Sequence, residues 1–313
     1  MKNSLKLFLL SIASLSCCAV IAGDYNCTYR ENTTPIMDGK LSGDPFWDGV
    51  TQSSDFLDLG DGNKPSPLKT WFKMAYTKDA LYIGVWCEEP QMDEIISEEK
   101  SDGEVWRDDG LEIFLAPPSV DSYFQFVLNT SEARYSSQDH HKQPLLSWSV
   151  KCFKATNYYS FEICFPYTTL MSIPKAGECW FGNIGRNQRT QAKEHSHSTW
   201  APLKKGFHDR PAFPKLVFPI GVNNSSVDRL LTQKSYDRLC AIGNELKNNT
   251  FSYRLFAKEL AELTKSSIDL GVPFSKEQSK RAEDLEVWGN DLRKQELEAL
   301  AYKRTSELFN SDN

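Results

Sequence analysis

From residue 69 to residue 218 the chain alternates apolar and polar positions with a period of two, the pattern of strands with two different faces. Lys69–Tyr76, Ala80–Glu88, Leu111–Leu115, Ser122–Asn129, Ala133–Ser136, Ser147–Lys154, Tyr158–Phe165, Glu178–Asn187 and Pro214–Phe218 each read this way. Thr77-Lys78-Asp79 joins the first two as a hairpin. Tyr167–Met171 reads as one helical turn, and Pro90–Gly103 as a long acidic loop. The turn-rich segment 35–50 carries Phe46 and Trp47, which are expected to plug one end of a core. The pattern predicts a mainly β fold, an antiparallel β-sandwich of jelly-roll type.

After Phe218 the period changes to that of a helix. Val227, Leu230, Leu231, Leu239, Ile242 and Leu246 predict a helix over 227–247, and a second is expected over 250–270, closed by Gly271 and Pro273. Ser275 with Gln278 reads as a capping box opening a third, reaching Phe309, with Ala282, Leu285, Trp288, Leu292, Leu300 and Leu308 as a broken apolar stripe. Three parts follow: 1–23, 24–222 and 223–313, with Gly221 and Asn223–Ser226 as linker. The helices are expected to pack on one another or on the sandwich. The alternative is a protein partner, or self-association, through these helices.

The length of 313 residues suits one large domain with a smaller one, and 40% hydrophobic residues can build a sizeable core. The net charge of −6 argues against nucleic acid and anionic membrane surfaces as partners. Met1–Ala22 has the form of a secretory signal: Lys2 and Lys6, an apolar run Leu7–Ile21, then Val20 and Ala22 at the cleavage positions. The run is too short to span a membrane. Cys17 raises lipoprotein anchoring as a second choice, because Ser14 stands where such signals carry Leu. The remaining cysteines, Cys27, Cys87, Cys152, Cys164, Cys179 and Cys240, form no CxxC pair, which argues against zinc. Export would permit disulfides, whose pairing the spacing leaves open.

Candidate chemistry concentrates in Glu104–Leu115, EVWRDDGLEIFL, where Trp106 stands beside Arg107, Asp108 and Asp109 at the mouth of a strand. An aromatic beside charges can stack on a ligand while the charges hydrogen-bond it; a core Trp and a solvated turn is the plainer reading.

MDGKLSGDPFWDGV, MAYTKDALYIGVWCEEP, WRDDGLEIFLAPP, FPYTTL and FHDRPAFPKLVF, in that order, resemble the carbohydrate-binding module family 9 domains, over Pro35–Pro219. The resemblance implies an antiparallel β-sandwich that binds oligo- or polysaccharide in a slot between two aromatic rings, with structural calcium in some members. It places one ring at Trp106 and the second at Phe207, where the family has Trp. It places the polar contacts near Asp108, Gln125, Arg186 and Asn187. Rings suit the apolar faces of a pyranose, and charged or amide groups suit its hydroxyls. Trp200 is expected in the core.

Other chemistry fits less well. Glycoside hydrolysis needs two carboxylates across a cleft. Of Asp108, Asp109 and Glu112, the first two are neighbours pointing apart and the third alternates with core residues. His140-His141 and His195-x-His197 lack a third metal ligand, and His208 is placed to bond a sugar hydroxyl. Calcium is the one cofactor expected, at Asp58, Asp61 and Asn63 in a Gly-containing loop. Asn32 and Asn129 begin glycosylation triplets. The function expected is a secreted, non-catalytic carbohydrate-binding protein. An interaction scaffold using the helices is the alternative, and an enzyme comes last.

Overall fold

A computed structural model describes residues 23–311 other than 63, 121, 144–145, 190–195, 247–249, 266 and 268–271. The signal reading of residues 1–22 and the calcium expectation at Asn63 lie outside the described residues. The strands are β1 (Tyr25–Asn26), β2 (Thr28–Tyr29), β3 (Leu57–Asp58), β4 (Thr70–Tyr76), β5 (Ala80–Glu88), β6 (Gly110–Ala116) and β7 (Phe124–Asn129). Then come β8 (Arg134–Gln138), β9 (His141–Lys142), β10 (Ser149–Lys154), β11 (Tyr158–Pro166), β12 (Glu178–Gln188), β13 (Ser196–Thr199) and β14 (Lys215–Phe218). The helices are α1 (Tyr167–Leu170), α2 (Ser225–Glu245), α3 (Thr250–Thr264) and α4 (Lys276–Ser311).

Among the described residues the strands form two sheets. The larger runs β1-β14-β12-β6-β7-β8-β9, with β13 beside β12 and β3 beside β13; the smaller runs β10-β11-β5-β4-β2. Pairing is antiparallel except at two edges, where β1 lies parallel to β14 and β2 parallel to β4. The antiparallel sandwich expected from the sequence is present, with these two short parallel pairings at its edges. The segment 25–29 crosses from one sheet to the other, pairing first with Leu216 and Val217 and then with Ala75 and Tyr76.

Alternation explains the core. Phe72, Met74, Ile83 and Val85 of the smaller sheet meet Leu111, Ile113, Leu115, Phe126, Leu128 and Ile184 of the larger one, all buried. Trp200 joins this core, edge-on to Phe72 at 4.9 Å. Each sheet's outward face is itself half covered. Ala201, Leu203, Phe207 and Phe213 pack over Phe114 and Tyr123 of the larger sheet. Phe46, Trp47 and Val50 pack over Ala75 and Tyr82 of the smaller one. Phe46 and Trp47 therefore cover a face rather than plug the end of the core. Trp47 is fixed there by its indole N–H, which donates to Glu162 at 2.7 Å. The covering segment fits because Gly39, at φ +85°, runs so close to β10 that a Cβ would stand 2.4 Å from the Phe153 nitrogen.

The helices begin with Asn224, whose side chain caps α2 at Ser226 and Val227 and also bonds Asp79 in the β4–β5 hairpin. Val227 enters the sandwich core, and Lys234 reaches the carbonyl of Thr168 after α1 begins. Further on, the helices keep their own core of Leu239, Ile242, Leu246, Phe256, Leu263, Ala282 and Leu285. The Ser275–Gln278 capping box forms reciprocally at 2.9 and 3.2 Å, opening α4.

Candidate functional site

The larger sheet's outward face carries Asn183, Gly185 and Asn187 on β12, Glu112 and Phe114 on β6, Gln125 and Val127 on β7, and Tyr135 and Ser137 on β8, as the strand register dictates. Its central polar residues bond to one another. Gln125 Nε2 donates to Glu112 Oε2 at 2.8 Å, and Asn187 Nδ2 donates to Glu112 Oε1 at 2.9 Å. Ser137 Oγ donates to Gln125 Oε1 at 2.8 Å, and His197 Nδ1 lies 2.9 Å from Asn187 Oδ1. Burial pushes the Glu112 carboxyl above its ordinary value, against the pull of the two amides and of Arg189. A carboxylate has about four lone-pair sites, so each Glu112 oxygen can accept a further hydrogen bond.

Above this row lies a cavity of about 260 Å³ lined by Trp106, Glu112, Gln125, Tyr135, Ser137, His140 and His208. Trp106 reaches it from the 3₁₀ turn Val105–Arg107, whose Val105 is anchored against Val127 and Ala133. Its ring meets Tyr135 edge-on at 5.1 Å and 80°. Opposite, the Tyr123 hydroxyl sits 3.1 Å from His140 Nε2 and 2.8 Å from His208 Nδ1. A hydroxyl has one proton, so it donates to one imidazole and accepts from the other. Burial, with His140 beside it, holds His208 below the ordinary histidine value. Rings on two sides, with acceptors and donors on the floor, suit a small ligand with apolar faces and a belt of hydroxyls.

The residues expected at the site divide. Trp106 and Gln125 line the cavity, and Asn187 supports its floor through Glu112. Asp108 does not face it. Its Oδ2 accepts from the Glu99 nitrogen at 2.8 Å and from Asn129 Nδ2 at 2.7 Å, which staples the acidic loop beneath Trp106. Asp109 holds the Ile96 and Arg189 nitrogens in the same way. Arg186 points inward, because its register neighbour on β6 is the core residue Leu111. There it pairs with Glu89 at 3.1 Å and donates to Tyr159, Thr70 and the Glu88 carbonyl. Phe207 is packed beside the cavity on Phe114, and it occupies the space over Gly185, where a Cβ would come within 2.6 Å of its ring. The ring lining the cavity at this point is that of its neighbour His208. Asn129 is buried with its amide donating to Asp108, so that triplet is not open to a glycan.

Tyr135 and Ser137 were not among the expected site residues, and His140 was weighed only as a metal ligand; Ser137 is the cross-strand neighbour of Gln125 and so shares its face of the sheet. Asp58 lies half-exposed on β3 and Asp61 exposed in the following turn. Among the described residues, no group of three or more His, Cys, Asp or Glu is placed to hold a metal ion. A larger hollow of about 380 Å³ lies in the helical part, lined by Leu263, Leu285 and Trp288 with the Arg281–Glu259 pair at its rim. It lacks the row of converging donors and acceptors found on the sheet.

The sequence model of the carbohydrate family 9 binding domain-like family matches residues 36–213. The chain belongs to this family. No curated protein matches it. Among solved structures, a candidate carbohydrate-binding protein from Bacteroides uniformis superposes with a TM-score of 0.52 at 14% identity, over 63% of this chain and 99% of that one. That likeness supports the fold. A family 9 carbohydrate-binding module from Caldicellulosiruptor kristjanssonii, solved with cellotriose and with glucose, is less similar, with a TM-score of 0.45 and 15% identity in both cases. These cover 62% and 64% of this chain and 93% and 98% of theirs. No helix of the described residues is long and apolar enough to cross a membrane.

Proposed function

We propose that the family 9-like domain of this protein is a non-catalytic saccharide-binding module of an exported protein. The sugar stacks on Trp106, and Glu112, Gln125, Ser137 and His208 take its hydroxyls. The observation that carries this reading is the buried Glu112 carboxylate, oriented by two amides at the floor of a ring-walled cavity. Glu112 is the carboxylate lining that cavity, while the neighbouring Asp108 and Asp109 are engaged with backbone nitrogens. Among the described residues, two-carboxylate hydrolysis therefore finds one partner there, and binding without turnover is the reading this favours. Export rests on the signal-like residues 1–22 and, like the anchoring alternative, is tested by locating the protein in cell fractions.

A glycan-array screen with and without EDTA names the sugar and tests the calcium expected at Asp58, Asp61 and Asn63. Calorimetry then decides the site. Trp106→Ala should weaken binding by about 1–3 kcal/mol, the cost of losing a stacked aromatic anchor, with the melting curve preserved. Unchanged affinity would remove Trp106 from the site.

A second reading attaches to the helices. Beyond Leu292 the described apolar residues Leu297, Leu300 and Tyr302 of α4 are exposed. A protein partner or a second copy of the chain would dock there, and light scattering of the full chain tests the second copy.

A further inference from the structure

The smaller sheet carries a row of rings that the cavity does not use. Trp71 on β4 and Trp86 on β5 are directly paired across the strands, and their rings stack at 5.8 Å with an interplanar angle of 11°. Trp86 meets Tyr158 of β11 at 5.4 Å, and Tyr158 meets Phe153 of β10 at 6.1 Å. The register puts all four on the outward face, since Trp86 pairs with Ser160 and Ser160 with Phe153. All four remain partly exposed. The covering segment stops short of them: at Gly39 its carbonyl accepts from Ser160, and Lys40 ends over the Phe153 ring at 5.0 Å.

Such a row crosses four adjacent strands spaced about 4.8 Å apart, so it is a continuous stripe roughly 15 Å long and one ring wide. Its charge is balanced. Lys40 is paired with Asp38 at 3.4 Å, and Lys151 at the neighbouring edge with Glu132 at 2.8 Å. A balanced rim offers no field for an anionic polymer. The stripe is also narrow. Four rings, each worth 150–250 Å² when wholly buried and here mostly covered, leave roughly 300 Å² to offer, short of the ~800 Å² per partner of a stable protein interface. A neutral glycan chain matches both limits: its pyranose faces are apolar, uncharged and one ring wide.

The geometry points to a second saccharide site, in which Trp71, Trp86, Tyr158 and Phe153 form a stacking stripe for an extended neutral polysaccharide on the sheet opposite the cavity. It does not depend on the cavity being a sugar site. The cavity would take a chain end or a small sugar, while the stripe takes the side of a chain.

Affinity electrophoresis of the full chain in gels holding hydroxyethyl cellulose, soluble xylan or polygalacturonate tests this, with retention on swollen insoluble cellulose as a second readout. The wild type should be retarded by at least one neutral polymer and not by polygalacturonate. Trp86→Ala should weaken that retention about tenfold, as for loss of one stacked ring, and Trp86→Tyr should restore most of it. Trp106→Ala should leave it in place. If Trp86→Ala does not fold, Trp71→Ala with Tyr158→Ala carries the same test on less central positions. The proposal falls if no neutral polymer retards the wild type, if only polygalacturonate does, or if the ring variants are retained like wild type. It also falls if Trp106→Ala alone abolishes retention, or if light scattering shows a dimer that Trp71→Ala dissolves while polymer retention is unchanged.

Discussion

Arg186 and Asn187 are neighbours on β12, and each belongs to a buried polar network. Period-two geometry sends them to opposite faces of the same sheet. Inside the sandwich, Arg186 is closed on every side by Glu89, Tyr159, Thr70 and the Glu88 carbonyl. On the outward face, Asn187 orients Glu112, whose oxygens keep acceptor capacity toward a cavity. Both networks bury charge, and burying charge is costly unless it is satisfied. The first is satisfied within the chain and so holds the sheets in register. The second is satisfied in part, which is how a site keeps interaction energy for a ligand.

Arg186→Met should have the largest effect. It leaves Glu89 buried with its ion-pair partner removed, so about 3–5 kcal/mol of stability should be lost in denaturant titrations. The fraction that stays folded should bind sugar as before. Loss of affinity without loss of stability would move Arg186 to the binding side.

Ending the chain at Gly221 should cost less. It removes the buried Val227 and the partly buried Val222 and Leu231 from the sandwich, together about 3 kcal/mol where one fully buried side chain is worth roughly 1.5–3, and frees the Asn224 tie to the hairpin. The shortened protein should still fold and keep its sugar affinity. Failure to fold would show that residues 24–222 are not a unit by themselves.

Phe207→Leu separates a packed ring from a stacking one. As a packing residue on Phe114 it should lose about 1 kcal/mol of stability, with sugar affinity within about twofold. A loss of affinity on the scale of Trp106→Ala would restore Phe207 as a platform.

The smallest effect concerns pH. The Glu112 carboxyl is raised in the folded state, so its contribution to stability is fully present below the ordinary glutamate value and is lost as pH rises through the raised one. Glu112→Gln does not titrate. Between pH 4 and 7, the stability of wild type relative to this variant should therefore decline as pH rises, measured by melting at each pH. A flat difference would mean that Glu112 is not perturbed by burial.

Much of the fold was legible because alternation is a local signal. The strands β4–β8, β10–β12 and β14, the turn Tyr167–Leu170 and the Ser275 cap stand where the pattern puts them, while the short β9 and β13 carry too few residues for alternation to mark them. The parallel edges were not legible, since β1 and β2 are two residues each and their pairing is fixed by distant strands. Of the cavity's lining, Trp106 was legible as an aromatic beside charges at the mouth of a strand, and Gln125 through the family resemblance. Arg186 was misplaced by one step of the pleat, and a one-residue step on a strand reverses the face. Asp108 and Asp109 looked like ligand contacts because charged residues usually meet solvent; here they meet the bare nitrogens of an adjoining loop. The stripe on the smaller sheet was hidden in the same way, since Trp71, Trp86 and Tyr158 come together only through register.

If the outward face of the larger sheet binds the sugar, the ligand must touch the residues lining its cavity. An NMR titration of the labelled protein with the best small sugar from the glycan screen tests it most directly. Saturable shifts are expected at the Trp106 indole, the Gln125 side-chain amide and the His208 ring, with Trp200 in the core unmoved. Saturable shifts confined to other regions, with Trp106, Gln125 and His208 silent, would contradict it.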